Sequence, residues 1–130
     1  MVDNNPPPAP DSARSSGTLV SSDKYNGKAV YGAEDKKVGS IESVMIEKRS
    51  GRVAYAVMSF GGFLGIGDQH HPVPWSSLTY DTNAGGYVID ADRARLQGAP
   101  AYKSSEAPNW SDRKWGQRVH QYYGVRPYWE

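Results

Sequence analysis

The sequence predicts an all-β domain, a small and strongly bent antiparallel sheet accompanied by one or two short helices. Apolar runs of strand length recur between Lys28 and Ile89, and turns rich in Gly, Asn and Asp separate them. A glycine-rich apolar segment, Gly61 to Gly67, then leads into two prolines two residues apart, Pro72 and Pro74. At 130 residues with 38% hydrophobic and 22% charged side chains, the chain holds one ordinary domain with a small core.

Taken in order, Lys28 to Tyr31 reads as a short strand, closed by Gly32 and a charged turn, Glu34-Asp35-Lys36-Lys37. In the next strand Val44 and Ile46 alternate with Met45 and Glu47, but Ile41 is out of phase with Val44. One extra residue near Glu42 or Ser43 therefore bulges and bends the strand. Arg49-Ser50-Gly51 supplies a hairpin turn in which glycine can take positive φ, and Arg52 to Phe60 returns with apolar residues on both faces. A strand apolar on both faces belongs at the centre of the core. Pro72 and Pro74 remove backbone donors from the same side of an extended chain, so that side is an edge or an open seam and no fully closed barrel is expected there. Leu78-Thr79-Tyr80 and Tyr87-Val88-Ile89 flank Asp81 to Gly86 as a second hairpin, and Asp92 caps a short helix through Arg95 and Leu96.

Three zones organise the chain. Residues 1–22 are Pro, Ser, Asp and Asn with scattered apolar side chains, too few to offset the entropy of ordering, and read as a linker. Its Pro6-Pro7-Pro8-Ala9-Pro10 run invites a polyproline-ligand reading, but no flanking arginine orients a docking motif, and a low-complexity spacer is preferred. Residues 23–100 carry the β signal, with acidic and basic side chains in balance. Residues 101–130 hold nearly half of the aromatic side chains, including Tyr102, Trp110, Trp115, Tyr122, Tyr123, Tyr128 and Trp129. There Trp115, Val119 and Tyr122 or Tyr123 recur at helical spacing after Ser111, a possible cap, and Gly124 can end the helix. The apolar stripe of this amphipathic helix either packs on its own sheet, over the seam beside Pro72 and Pro74, or docks on another subunit.

Composition excludes several function classes. A formal charge of +1 supplies no global field to attract phosphate backbones or anionic lipid, so nucleic acid is not the default partner. Zero cysteines exclude disulfides, thiolate metal sites and cysteine nucleophiles. With no basic leader before an apolar run and no window long enough to span a bilayer, a cytoplasmic, soluble chain without membrane insertion is expected.

The ordered run Gly27-Lys28-Ala29-Val30-Tyr31, Lys37 to Val44, Ser50 to Tyr55, Gly61-Gly62-Phe63-Leu64-Gly65 and Val73-Pro74-Trp75 resembles the PRC-barrel domain family. That domain is shared by the cytoplasmic part of the photosynthetic reaction centre H subunit and the C-terminal half of a ribosome maturation factor. The resemblance covers roughly Asp23 to Gly98. It implies a small six-stranded, partly open antiparallel β-barrel used as a docking module, here with a C-terminal aromatic-rich helical extension, and no catalytic residues to carry over. The polar stretch Met1 to Ser22 stands where the reaction-centre subunit has a membrane helix, and there is no room for the β-domain that precedes the barrel in the ribosome factor. The tail resembles those of some stand-alone bacterial members.

Candidate chemistry fails on spacing. The Gly61–Gly67 segment is followed by no lysine-serine pair and opens no helix, as a phosphate loop would. Its Phe63, Leu64 and Ile66 either fold over a barrel end or stand exposed as a contact patch. His70 and His71 point to opposite faces of a strand, and with His120 they lack a ligand at a coordinating interval, so no metal is expected. Asp81, Asn83 and Asp92 match three places of a calcium loop, yet glycine fills the fifth and the bidentate glutamate is missing. No serine sits in a strand-to-helix elbow, and no enzyme activity or cofactor is expected.

The leading expectation is thus a non-enzymatic protein-interaction module, with a homodimer among its assemblies. Its partner-binding residues are Phe63, Leu64 and Ile66 in the loop, and Trp110, Trp115, Tyr122, Tyr123, Tyr128 and Trp129 in the tail. The alternative is an RNA- or ribosome-associated module, in which tail aromatics and arginines such as Arg113 and Arg118 stack on single strands.

Overall fold

The structure, a computed structural model, describes residues 18–33, 36–60, 69–103 and 105–130. Eight strands run in chain order: β1 (Leu19–Ser22), β2 (Ala29–Tyr31), β3 (Lys37–Glu47), β4 (Val53–Ser59), β5 (Gln69–Pro74), β6 (Leu78–Asp81), β7 (Gly86–Ile89) and β8 (Tyr102–Lys103). A single 3-10 turn, Trp75–Ser77, follows β5, and two helices complete the chain, α1 (Arg93–Gln97) and α2 (Arg113–Tyr123). The strands form one open sheet in the order β6-β7-β2-β3-β4-β5-β8, with β1 also paired to β3. Among the described residues no helix is long and apolar enough to cross a membrane.

The long strand β3 organises the sheet. Along one edge it pairs antiparallel first with β2 (Ala29↔Ser40) and then with β1 (Ser22↔Val44 to Leu19↔Glu47), while β4 runs along the other. The β3–β4 register shifts between Ile41 and Ser43, the bulge expected from the broken alternation there. Gly51 closes the β3–β4 hairpin at φ 75°, as the turn required. On β5, Pro72 lies opposite Val57 and Pro74 opposite Tyr55. A proline cannot donate, so the sides of Pro72 and Pro74 that lack N–H face away from β4. Strand β8 covers that outer side only at Gln69 and His70, and α2 packs against β5. The seam read from the two prolines is therefore real, and the chain's own tail helix closes it.

Two cores lie on the two faces of this sheet. Val30, Ile41, Val44, Ala56, Met58, Phe60, Val73, Ile89 and Leu96 form the first, inside the bend, with Leu96 brought in by α1. The Asp92 Oδ1 caps α1 by accepting from the Arg95 N–H at 2.8 Å, as its place before the helix predicted. Leu19, Met45, Ala54, Tyr55, Val57, Trp110 and Val119 form the second, between β1, β3 and β4 and the tail. Strand β4 feeds both, Ala56 and Met58 on one side and Tyr55 and Val57 on the other, which is why its sequence shows no polar alternation.

Three expectations change. The sheet has eight strands rather than six, because Leu19–Ser22, assigned from sequence to the linker, is β1, and the two-residue Tyr102–Lys103 is β8. In β1, Leu19 is buried and Val20 exposed, and the Leu19-Val20 pair was the available signal in a polar surrounding. Nor is the sheet wholly antiparallel. The β6–β7 hairpin swings around the bend until β7 lies parallel to β2, with Val30 opposite Tyr87. Gly86 permits this approach, since a Cβ there would lie 2.6 Å from the Ala29 carbonyl oxygen and 3.1 Å from the Tyr31 ring. Replacing Gly86 with Ala should accordingly force β7 off β2 and cost about 2 kcal/mol of stability. Urea unfolding measures this, and an unchanged midpoint would contradict the close β2–β7 contact.

Candidate functional site

Phe63, Leu64 and Ile66, three of the expected contact residues, lie outside the described residues. The six expected in the tail are all placed: Trp110 is buried and the other five are half-buried. Trp110 is only 3% exposed and meets Tyr55 at 5.5 Å and Tyr102 at 5.8 Å between ring centroids. It is a core residue of the second layer, not a contact surface. Trp115, Tyr123 and Tyr128 are half-buried against the same cluster. Tyr122 is held by Arg95 of α1, whose guanidinium lies 4.7 Å over the ring. The Tyr122 hydroxyl donates to the Arg95 carbonyl at 2.6 Å, and the Arg95 guanidinium donates to the Tyr122 carbonyl. Trp129 closes over Gly116 of α2, where a Cβ would come within 2.8 Å of its ring. The sequence located the aromatic side chains correctly but not their direction, because α2 offers one apolar stripe and the sheet supplies the face that stripe needs.

The tail is fastened by polar contacts as well. Asp112, one residue beyond the expected Ser111, caps α2, its Oδ1 accepting from the N–H groups of Lys114 at 2.9 Å and Trp115 at 3.4 Å. The Ser111 hydroxyl oxygen instead accepts from the Thr18 N–H at 3.1 Å, tying the tail to the start of β1. Gly124 ends the helix at φ 68°, as expected. His120, 1% exposed, is the internal pin: the Gly116 carbonyl can only accept, so His120 Nδ1 carries the proton across 2.7 Å, and Nε2 accepts from the Tyr128 N–H at 3.3 Å. The bond from Tyr128 needs Nε2 unprotonated, and burial, the largest influence on His120, lowers its pKa in that direction. Around the pin, Tyr55 touches the rings of Trp110, His120 and Tyr128 at 5.3–5.5 Å, and its burial pushes the Tyr55 hydroxyl pKa well up.

A second aromatic cluster, on the other core, is one that sequence reasoning missed. Tyr25 in the β1–β2 turn, Trp75 in the 3-10 turn, Tyr80 on β6 and Tyr87 on β7 form one strip, Tyr25–Trp75 at 5.6 Å, Trp75–Tyr87 at 5.3 Å and Tyr87–Tyr80 at 5.2 Å. Tyr25, Trp75 and Tyr87 are half-buried against the first core, while Tyr80 is 53% exposed. Desolvation and then the neighbouring Tyr25 and Tyr80 raise the Tyr87 hydroxyl pKa, in keeping with a contiguous cluster. Trp75 also borders a groove of about 610 Å³ between the β3–β4 hairpin and the chain after α2, where Arg52, Val53, Pro74, Pro127 and Tyr128 line the walls. No local pattern reveals this strip: its members are separated by up to some sixty positions and meet only because β7 returns beside β2.

Groups that suggested ion chemistry are engaged in turns and packing. Asp81 Oδ1 accepts from the N–H groups of Asn83 at 2.8 Å and Ala84 at 3.4 Å, holding the β6–β7 hairpin. His70 meets Tyr102 and His71 meets Phe60, on opposite sides of β5. Among the described residues no three His, Asp or Glu side chains gather as a metal site.

A family model for the PRC-barrel domain matches residues 18–96, from just before β1 into α1. A search of curated proteins returns no match.

Two outcomes follow from these placements. Trp110→Ala should cost about 4 kcal/mol, because it empties a packed site, whereas Tyr80→Ala should change stability by less than about 0.5 kcal/mol. Denaturant unfolding of the two variants compares them directly, and equal effects would contradict the inward tail. The second concerns His71, whose pKa is lowered to about 4, chiefly by burial and then by neighbouring His70. The unfolded chain takes up this proton near the ordinary histidine value while the folded chain does not, so stability is full above that value and declines as pH falls toward 4. Between pH 7.5 and 5 the wild type should lose about 2 kcal/mol more than His71→Leu, measured as unfolding midpoints at both pH values.

Proposed function

The chain belongs to the PRC-barrel domain family, and from this premise we propose that it is a non-enzymatic protein-docking module whose contact surface is the strip Tyr25, Trp75, Tyr80 and Tyr87. The observation that carries the reading is the contrast between the two sets of aromatic side chains. Trp110 of the tail is buried in the second core, while the strip, half-buried on the first core at Tyr25, Trp75 and Tyr87, ends in the exposed ring of Tyr80. Tyrosine and tryptophan suit such a surface, combining a rigid apolar body with a polar edge. The groove beside Trp75 extends the strip and adds the charged rim of Glu47, Arg52, Arg126 and Glu130. The tail residues then serve as scaffold rather than as contacts.

The RNA alternative draws less support. Arg113 lies 4.6 Å over Trp129 and Arg118 lies 5.1 Å over Trp115, so the arginines that base stacking would recruit already cover the tail's own rings.

A photo-crosslinking residue at position 80 tests the proposal. A discrete protein adduct is expected, either a second copy of the chain or another protein, and it should be lost when Trp75 and Tyr87 are both replaced with Ala. Light scattering of the purified chain separates the homodimer from a foreign partner. Absence of any adduct above that from a probe at Asn83, on the neighbouring hairpin turn, would reject the strip as a docking surface.

A further inference from the structure

We infer that β6 is a self-association edge: Tyr80 pairs antiparallel with Tyr80 of the partner subunit across a two-fold axis, joining two sheets into one. The occupant of the Tyr80 end of the docking strip is thereby a second copy of the chain, which rests on Tyr80 being a contact residue as proposed above.

The hairpin fixes which backbone groups face outward. Strand β6 ends the sheet, paired with β7 on one side and, among the described residues, with no strand on the other. In an antiparallel pair, successive residues turn their N–H and C=O alternately toward the neighbouring strand and away from it. The Asp81 carbonyl accepts from the Gly85 N–H at 2.9 Å, so Asp81 faces into its own hairpin. The alternation then turns Tyr80 and Leu78 to the outer side. Leu78 agrees with this phase, since its N–H donates to the Trp75 carbonyl rather than to β7. Tyr80 is thus the residue of β6 that presents both a donor and an acceptor beyond the sheet.

Exposed edges are ordinarily blunted by proline, by basic side chains or by bulges. Strand β5 carries two prolines of this kind, Pro72 and Pro74. Strand β6 carries none of these devices: Leu78-Thr79-Tyr80-Asp81 lacks proline and basic residues, and its register with β7 is unbroken. Tyr80 is also 53% exposed, on a strand whose Thr and Tyr both favour extended backbone.

Symmetry selects a second copy as the occupant. A residue offering one donor and one acceptor on the same side is its own complement. With the two-fold axis at Tyr80, each Tyr80 N–H donates to the carbonyl of the partner's Tyr80, and both pairs of groups are met. The same register sets Thr79 opposite the partner's Asp81, so no like charges stand directly across the junction. Opposed residues of a ladder share a face, so the two Tyr80 rings meet, and each already touches Tyr87 of its own chain at 5.2 Å. The four-residue strand keeps the contact in the weak, transient class, below about 1,200 Å² of buried surface.

Sedimentation of the full chain from micromolar to millimolar concentration should show a reversible monomer–dimer equilibrium. Amide hydrogen exchange at Tyr80 should slow as the concentration rises, while that at Asn83 on the turn stays constant. Tyr80→Pro removes the outward donor and leaves the β6–β7 bonds in place, and it should raise the dimer dissociation constant at least about tenfold. Tyr80→Lys keeps the donor but opposes two positive charges across the axis; it should weaken the dimer most at low salt, and it serves as the test where the proline variant fails to fold. A chain that stays monomeric throughout would overturn the inference, as would a dimer whose Tyr80 exchange is independent of concentration or one that both variants leave intact. A monomer whose position-80 probe captures a different protein overturns self-pairing alone and leaves the docking strip standing, so the two readings fail separately.

Discussion

The structure depends on a central strand that is apolar on both faces. Tyr55 and Val57 of β4 point away from the core that Ala56 and Met58 help to fill, and a small bent sheet has nothing of its own to lay over them. Leaving such a face in water forfeits about 25 cal/mol for each Å² of apolar area, a large sum beside the margin of a small domain. The tail answers that need: Trp110, Val119 and Tyr128 pack with Tyr55 and Val57, and the helix packs against β5, the strand whose Pro72 and Pro74 cannot donate to another strand. A strand lacking donors on its outer side is best covered by a helix, whose backbone bonds are already satisfied internally.

Seen in this way, sheet and tail form one folding unit with a second core at their junction. The tie of Thr18 to Ser111 and the clasp of Arg95 with Tyr122 bind the tail to the start of β1 and to α1, and His120 joins the helix to the residues beyond it through a ring whose Nε2 must stay unprotonated. The buried imidazoles of His71 and His120 carry depressed pKa values for the same reason, the loss of water around a potential charge. Aromatic side chains that look like an adhesive surface in the sequence are thus largely engaged with the chain's own sheet, and the docking surface proposed above lies on other rings, contributed by a turn, a 3-10 turn and two strands.

Much of the sheet was legible because its signals are local. The phase break before Val44 marked the bulge, Gly51 marked the hairpin, Asp92 marked the cap of α1, and the ordered glycine and proline positions pointed to the family. Strands β1 and β8 escaped because four and two residues carry too little periodicity to separate from loop. The cap of α2 was misplaced by one residue, since Ser111 and Asp112 both suit the role and only the partner at Thr18 distinguishes them. The aromatic strip was illegible for a deeper reason: Tyr25, Trp75, Tyr80 and Tyr87 share no spacing, and none stands out in its own segment.

By itself the sequence determined where strands, turns, caps and apolar faces fall, because these follow from side-chain period and from the special backbones of glycine and proline. It also determined that the tail must be covered, through the number of large rings within it. Only the tertiary structure decided by what. The direction of a helix stripe and the meeting of β7 with β2 depend on which distant surfaces are free once the sheet has bent, and that is a property of the assembled chain rather than of any segment in it.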